Sequence, residues 1–227
     1  MDLRSARSSR LFRFDRSFGV RVVAGADEAG RGCLAGPLVA SAVAFDLEGL
    51  GREARRDLGD LDDSKRLSPA ARADLAAAIL CHARQVVVLS ACAPTLDRDG
   101  LHRSNLRLLA GCLERIEPGA DLCIVDGFRL PPPAPAHRAV VAGDATSAAV
   151  AAASVIAKTT RDRLMAGPVS AAWPDFGFDR HVGYATRQHQ DALRAAGLTP
   201  LHRRSFRSAA YTELRLFEHD GTVASGT

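Results

Sequence analysis

Val22-Val23-Ala24-Gly25-Ala26-Asp27-Glu28-Ala29-Gly30-Arg31-Gly32 decides how the rest of this 227-residue chain is read. An apolar, β-rich run ends in two adjacent carboxylates and then a glycine turn. Adjacent acids at the end of a buried strand repel each other and lose hydration, so they are tolerable where a divalent cation or a hydrogen-bond network neutralises them. Gly30-Arg31-Gly32 then lets the backbone come close to a ligand, and Arg31 offers a fork matched to phosphate. Acids for metal beside a basic fork for phosphate point to phosphodiester chemistry.

Two further acids stand at comparable places. Asp126 ends the apolar run Leu122-Cys123-Ile124-Val125 and precedes Gly127; Asp144 follows Val140-Val141-Ala142-Gly143 and precedes a helical stretch. Acids at strand ends and at a helix start converge on one edge of an α/β sheet. Taken singly, each has an ordinary reading, Asp126-Gly127 as a turn and Asp144 as a helix cap. Taken with Asp27 and Glu28 they make an oxygen-only ligand set, which suits Mg²⁺ or Mn²⁺ and not zinc. Two such ions about 4 Å apart clamp the attacking and leaving oxygens of a phosphoryl displacement. Ser154, Lys158 and Arg161 or Asp162 share one helix face beyond Asp144, where a hydroxyl and an ammonium would hold a neighbouring phosphate; the plainer alternative is a Lys158–Asp162 surface pair. A dinucleotide fingerprint, Gly30-x-Gly32-x-x-x-Gly36, is opposed by the acids beside the would-be pyrophosphate and by Pro37, which disrupts the helix that should follow.

The surrounding pattern predicts strands at 20–26 and 37–45, paired antiparallel, then a polar loop at 49–67. Ser68 and Pro69 open a helix running to about residue 83, with Ser68 as N-cap. Strands follow at 86–92, 122–125 and 139–141, with helices at 101–116 and 146–165. Residues 129–136 hold four prolines and are expected to be irregular. The fold class is therefore α/β with a mixed sheet flanked by helices. From residue 167 the chain turns more aromatic and basic, with short helical pieces, and is expected to form a small helical C-terminal domain with a loose tail. The catalytic domain is set at 20–166, the C-terminal domain at 167–227, and 1–19 as a basic extension.

That extension carries arginines at positions 4, 7, 10, 13 and 16. A solvated, partly disordered arm is the simplest expectation; an arm touching nucleic acid and an organellar transit peptide are the alternatives, the last opposed by Asp2 and Asp15. Lys65 and Lys158 are the only lysines. Five cysteines without a C-x-x-C spacing, and no recognisable secretory signal, are expected to be reduced thiols of a cytoplasmic protein. No apolar run approaches the roughly 20 residues that span a bilayer.

Ordered blocks over about residues 20 to 210 resemble bacterial ribonuclease HII. They are Asp27-Glu28-Ala29-Gly30-Arg31-Gly32 with Gly36-Pro37, Asp63-Ser64-Lys65, Val125-Asp126-Gly127, Gly143-Asp144, Ser154 with Ala157-Lys158 and Arg161-Asp162, His181 with Gly183-Tyr184, Thr186 and His189, and His202-Arg203-Arg204-Ser205-Phe206. The resemblance implies an RNase H-like fold and endonucleolytic cutting of the RNA strand of RNA–DNA hybrids. It also implies incision 5′ of single ribonucleotides embedded in duplex DNA, leaving 3′-hydroxyl and 5′-phosphate ends. Asp27, Glu28, Asp126 and Asp144 would hold two divalent ions, Mn²⁺ or Mg²⁺, with Asp27 bridging. Gly30, Arg31, Gly32 and Tyr184 would read the ribose 2′-hydroxyl, the group that distinguishes RNA from DNA. Lys65, Ser154 and Lys158 would contact phosphate, and Arg180, Arg187, His202, Arg203 and Arg204 would track the DNA backbone. A monomer is expected, without membrane association, and with a DNA sliding clamp as a further candidate partner. Two positions depart from the pattern: Cys33 stands where proline is usual, and Ala142 where lysine is common.

Overall fold

The computed structural model describes residues 3–61, 67–207 and 211. Its centre is a sheet of β1 (Val22–Ala29), β2 (Leu38–Asp46), β3 (Gln85–Ala91), β4 (Leu122–Asp126) and β5 (Arg138–Val140). The strand order is β3-β2-β1-β4-β5. The first three strands form an antiparallel meander; β4 and β5 join β1 in parallel. This is the mixed α/β sheet expected from the sequence. Strand β1 lies in the middle, which explains its nearly uninterrupted small and apolar run: a central strand is covered on both faces.

Register carries the chemistry. Ala26 of β1 lies opposite Val125 of β4. The next residue on each parallel strand is an acid, so Asp27 and Asp126 leave the sheet side by side at its C-terminal edge. Alternation then separates Asp27 from Glu28. Val23 and Ile124 pack against α6 (Ala148–Leu164) on one face, whereas Ala24, Ala26 and Val125 pack against α5 (Leu101–Ile116) on the other. Asp27 therefore points to the α6 side and Glu28 to the α5 side. Helix α6 lies very close to β1: a side chain at Gly25 would run into the backbone of Ala149 and Val150. Its buried alanine run from Ala148 to Ala153 permits that approach.

Helix α3 (Pro69–His82) begins as its sequence predicts, with the Ser68 hydroxyl accepting from the Ala71 amide at 3.2 Å. Residues 129–136 hold no helix or strand. Two expectations are corrected. The arginine-rich arm includes a helix, α1 (Leu3–Arg16), whose Leu11 and Phe12 enter the core beside Phe45. Burying two such side chains contributes roughly 1.5–3 kcal/mol each, enough to fix a short helix against the body. The polar stretch after residue 49 contains α2 (Arg52–Asp57), held to α3 by Asp57 and His82 at 3.0 Å. A further helix, α4 (Ala93–Asp99), follows β3.

Beyond α6 the helix loosens into a π-turn over Met165–Val169, where Pro168 lacks the amide that a regular turn would use. Short helices α7 (Ser170–Ala172) and α8 (Phe178–His181) lead to α9 (Arg187–Ala196). A separate apolar cluster of Leu34, Ala35, Met165, Phe176, Phe178 and Leu193 binds this region to the loop after β1. All five cysteines are free thiols, with Cys33, Cys112 and Cys123 buried. Among the described residues no helix is long and apolar enough to cross a membrane.

Candidate active site

One cavity of about 340 Å³ opens where β1 and β4 end, and it is lined by Asp27, Glu28, Ala29, Gly30, Arg31, Gly32, Asp126, Ser154, Lys158 and Tyr184. Nine of the residues singled out from the sequence thus meet in one place. Asp144 is not among those lining residues but adjoins them: the Gly143 amide donates to Asp126 Oδ1 at 2.6 Å, and Asp144 follows in a buried 3-10 turn. Lys65 lies outside the described residues.

The acids are held against their own preference. Burial first, then the charges of Glu28 and Asp126, push the Asp27 carboxyl up to about 8; Ser154 and the Glu28 amide, at 2.7 Å from Oδ1, oppose this only in part. Glu28 is also raised by burial, against the pull of Arg31, whose Nη1 lies 3.2 Å from Oε1, and of the nearby Asn105. Asn105 is fully buried on α5, and neither amide atom has a protein partner at full hydrogen-bond geometry. Buried like charges suit a cationic ligand, and oxygen-only donors suit a hard divalent ion. Among the described residues no three His, Cys, Asp or Glu side chains form a ready-made metal cluster.

The other wall belongs to Tyr184. Its half-exposed ring lies under Lys158 Nζ, 5.0 Å from the centroid, and its hydroxyl helps hold down the buried Cys33 thiol, which burial raises. Lys158 also pairs with Asp162 at 3.0 Å. Lys158 thus makes the expected pair with Asp162 and also lines the cavity.

Several residues given other roles by sequence reasoning prove to be the frame. Arg161 is fully buried and donates to three carbonyls: Pro37 from Nε, Val182 from Nη1 and Ala35 from Nη2, each at 2.9 Å. Arg203, expected to track DNA, is fully buried as well; it donates to Gly36 at 3.0 Å and to Arg31 at 3.2 Å. His202 is buried too, so neither is available to a phosphate backbone, while Arg180, Arg187 and Arg204 remain exposed.

A chain of imidazoles supports Tyr184. Gly183 N–H donates to His181 Nδ1, so His181 Nε2–H donates to Phe176 O at 2.7 Å. His189 Nδ1 faces the Tyr184 carbonyl at 2.9 Å and must donate; its Nε2 then accepts from His202 Nε2 at 3.0 Å. His202 Nδ1 accepts from the Thr199 amide at 2.9 Å. The network thus assigns one neutral tautomer to each ring. Burial holds His189 and His202 down to about 4 and lowers His181 as well. The family resemblance placed these histidines in two separate blocks; the packing shows that they are internal and joined.

Comparison with known proteins agrees with this geometry. Residues 24–209 match the family model described as Ribonuclease HII. A ribonuclease HII of Geobacillus kaustophilus is 41% identical over 203 residues, covering 88% of this chain and 75% of the relative. Among solved structures, ribonuclease H2 from Pyrococcus horikoshii superposes with a TM-score of 0.69 at 27% identity, covering 87% of this chain and 99% of that one. Ribonuclease HII from Archaeoglobus fulgidus, solved in complex with PCNA, gives a TM-score of 0.67 at 27% identity, covering 82% of this chain and 96% of that one. The chain belongs to the ribonuclease HII family, endoribonucleases acting on RNA–DNA hybrids.

Proposed function

We propose that this enzyme also incises duplex DNA on the 5′ side of a single embedded ribonucleotide, leaving 3′-hydroxyl and 5′-phosphate ends, and that both reactions occur in the cavity at the ends of β1 and β4. The observation that carries the proposal is the meeting of mutually repelling, buried carboxylates with Gly30-Arg31-Gly32 and Tyr184 in a single cavity.

Asp27, Glu28, Asp126 and Asp144 would hold two divalent ions, Mg²⁺ or Mn²⁺. When bound, the ions would supply Lewis-acid activation of water and charge stabilisation at the phosphate. The protein's own residues do the rest. Arg31, turned back on Glu28, is free to exchange that carboxylate for a phosphate oxygen as the substrate enters. The backbone at Gly30 and Gly32 approaches the ribose, and the Tyr184 ring beneath Lys158 packs against the sugar, so that a 2′-hydroxyl finds polar partners and a deoxyribose does not. Ser154 steadies Asp27 from α6, and Lys158 adds positive charge beside the scissile phosphate.

The chemistry is assigned to residues 20–166, with substrate contacts shared between Gly30, Arg31, Gly32 and Lys158 of that part and Tyr184 of the 167–227 part. Arg180, Arg187 and Arg204 stay candidates for the DNA backbone. The enzyme is proposed to act as a monomer in the cytoplasm. The PCNA complex of the Archaeoglobus fulgidus relative supports a sliding-clamp contact here also. A DNA duplex with one ribonucleotide, incubated with Mg²⁺ or Mn²⁺, tests the central point: one cut 5′ of the ribonucleotide is expected, and an uncut substrate or scission of an all-DNA control would refute it.

A further inference from the structure

Helix α1 lies before the region matched by the family model, yet it grips the chain next to Asp144. Arg10 Nη2 donates to the Ala145 carbonyl at 3.0 Å, and Asp15 Oδ2 accepts from the Ala149 amide at 2.9 Å. Asp126 meanwhile holds the Gly143 amide. Asp144 is thus bracketed, one residue before it by Asp126 and one after it by Arg10, with Asp15 fixing the start of α6 four residues farther on.

These bonds answer specific needs. The first amides of α6 have no partner within the helix. Ser147 satisfies Val150 at 3.3 Å, while Ala149 is served by a carboxylate 134 residues away in sequence. A negative group also complements the positive end of the helix. Asp15 is fully buried to reach that place, and α1 is anchored around it by Leu11, by Phe12 and by the Ser8 hydroxyl, which donates to the Leu58 carbonyl at 2.7 Å. The arginines that suggested a loose arm therefore belong to an element with a fixed address.

We propose that Arg10 and Asp15 are positioning residues for catalysis: through the Ala145 carbonyl and the Ala149 amide, α1 sets the place of Asp144 relative to Asp126. This rests on the proposed role of Asp144 as a metal ligand. Partners of this kind change metal affinity or turnover by about 10–100-fold when removed.

The test measures Mn²⁺ binding by calorimetry, together with kcat and KM on the single-ribonucleotide duplex, for the full chain and for Arg10→Met, Asp15→Ala and Asp15→Asn. Arg10 is exposed, so Arg10→Met reports even if Asp15→Ala fails to fold. Arg10→Met and Asp15→Ala are expected to weaken Mn²⁺ binding and lower kcat about 10-fold or more, with KM for the duplex unchanged. Asp15→Asn, which keeps an acceptor for the Ala149 amide, is expected to restore most of both. Mn²⁺ binding and kcat at the unsubstituted level in Arg10→Met would overturn the proposal, as would an Arg10→Met effect confined to KM, the mark of a phosphate contact. If the unsubstituted chain itself neither binds Mn²⁺ nor cuts, the metal-site reading fails instead.

Discussion

At the ends of β1 and β4, Asp27, Glu28 and Asp126 crowd like charges into one cavity, whereas the seam between the 31–37 loop and the C-terminal helices buries Arg161 and Arg203 with five bonds to backbone carbonyls. Both regions take charge out of water. In the seam each bonded nitrogen has a fixed acceptor, so the cations act as cross-braces of the fold. In the cavity the charges oppose one another, and Asp27 is driven up to about 8. A buried charge answered by the backbone builds structure, and a buried charge answered by its own kind awaits a ligand.

The comparison breaks most visibly at Asp27. Asp27→Asn should lower cleavage about 10³-fold or more, since losing a ligand removes several kcal/mol of transition-state stabilisation. The same change should raise the melting temperature of the metal-free protein. Protonated Asp27 is the form that the fold prefers, so its favourable contribution is present at acid pH and is lost as pH rises through about 8. The advantage of Asp27→Asn over the native chain should therefore widen from pH 5 to pH 9 in thermal melts. A gap independent of pH would show that the carboxyl is not strained.

The seam should respond in the opposite sense. Arg161→Met leaves one buried and two partly buried carbonyls without this donor and is expected to cost roughly 3 kcal/mol in urea unfolding. A loss below about 1 kcal/mol would mean that water replaces the brace. Acid should act on the same side of the molecule through the imidazoles. His189 and His202 are held at about 4 against an ordinary 6.5, so the stability from keeping them neutral is complete above pH 6.5 and drains away as pH falls toward 4. Measured in the Asp27→Asn background, where the opposing Asp27 titration is absent, the loss should be about 3 kcal/mol for each histidine, offset in part by Asp15 and Glu28, whose raised carboxyls titrate in the opposite sense. A flat profile would separate the histidine chain from the stability of this region.

The smallest effect is expected where the two regions touch. Tyr184→Phe removes one hydroxyl at the cavity wall and should reduce the preference for a ribonucleotide over an all-DNA duplex about tenfold, as kcat/KM. An unchanged preference would leave specificity to the Gly30-Arg31-Gly32 backbone alone.

Much of the sheet was legible because the signals are local: apolar runs, Ser68-Pro69 at a helix start, and acids closing β1 and β4. The cavity was legible because acids with ordinary readings taken singly fall together at strand ends and a helix start on one edge of the sheet. Helix α1 was not, because its arginines mask the two apolar residues that dock it. Arg203 and His202 were misplaced on the surface for a related reason. Residue type alone does not distinguish a basic side chain facing phosphate from one wrapped in carbonyl oxygens of distant segments, such as Gly36 and Arg31. Helices α2 and α4 are short, and tertiary contacts hold them where periodicity offers little.

The mutual repulsion of Asp27, Glu28 and Asp126 is the ground for expecting a divalent cation in this cavity. Thermal melting of the native chain and of Asp27→Asn across a Mn²⁺ titration tests it directly. The native chain should gain stability with Mn²⁺, by about 2.7 kcal/mol once the ion reaches 100 times its dissociation constant, and Asp27→Asn should gain little. An equal gain in both proteins, or none in the native chain, would contradict the account.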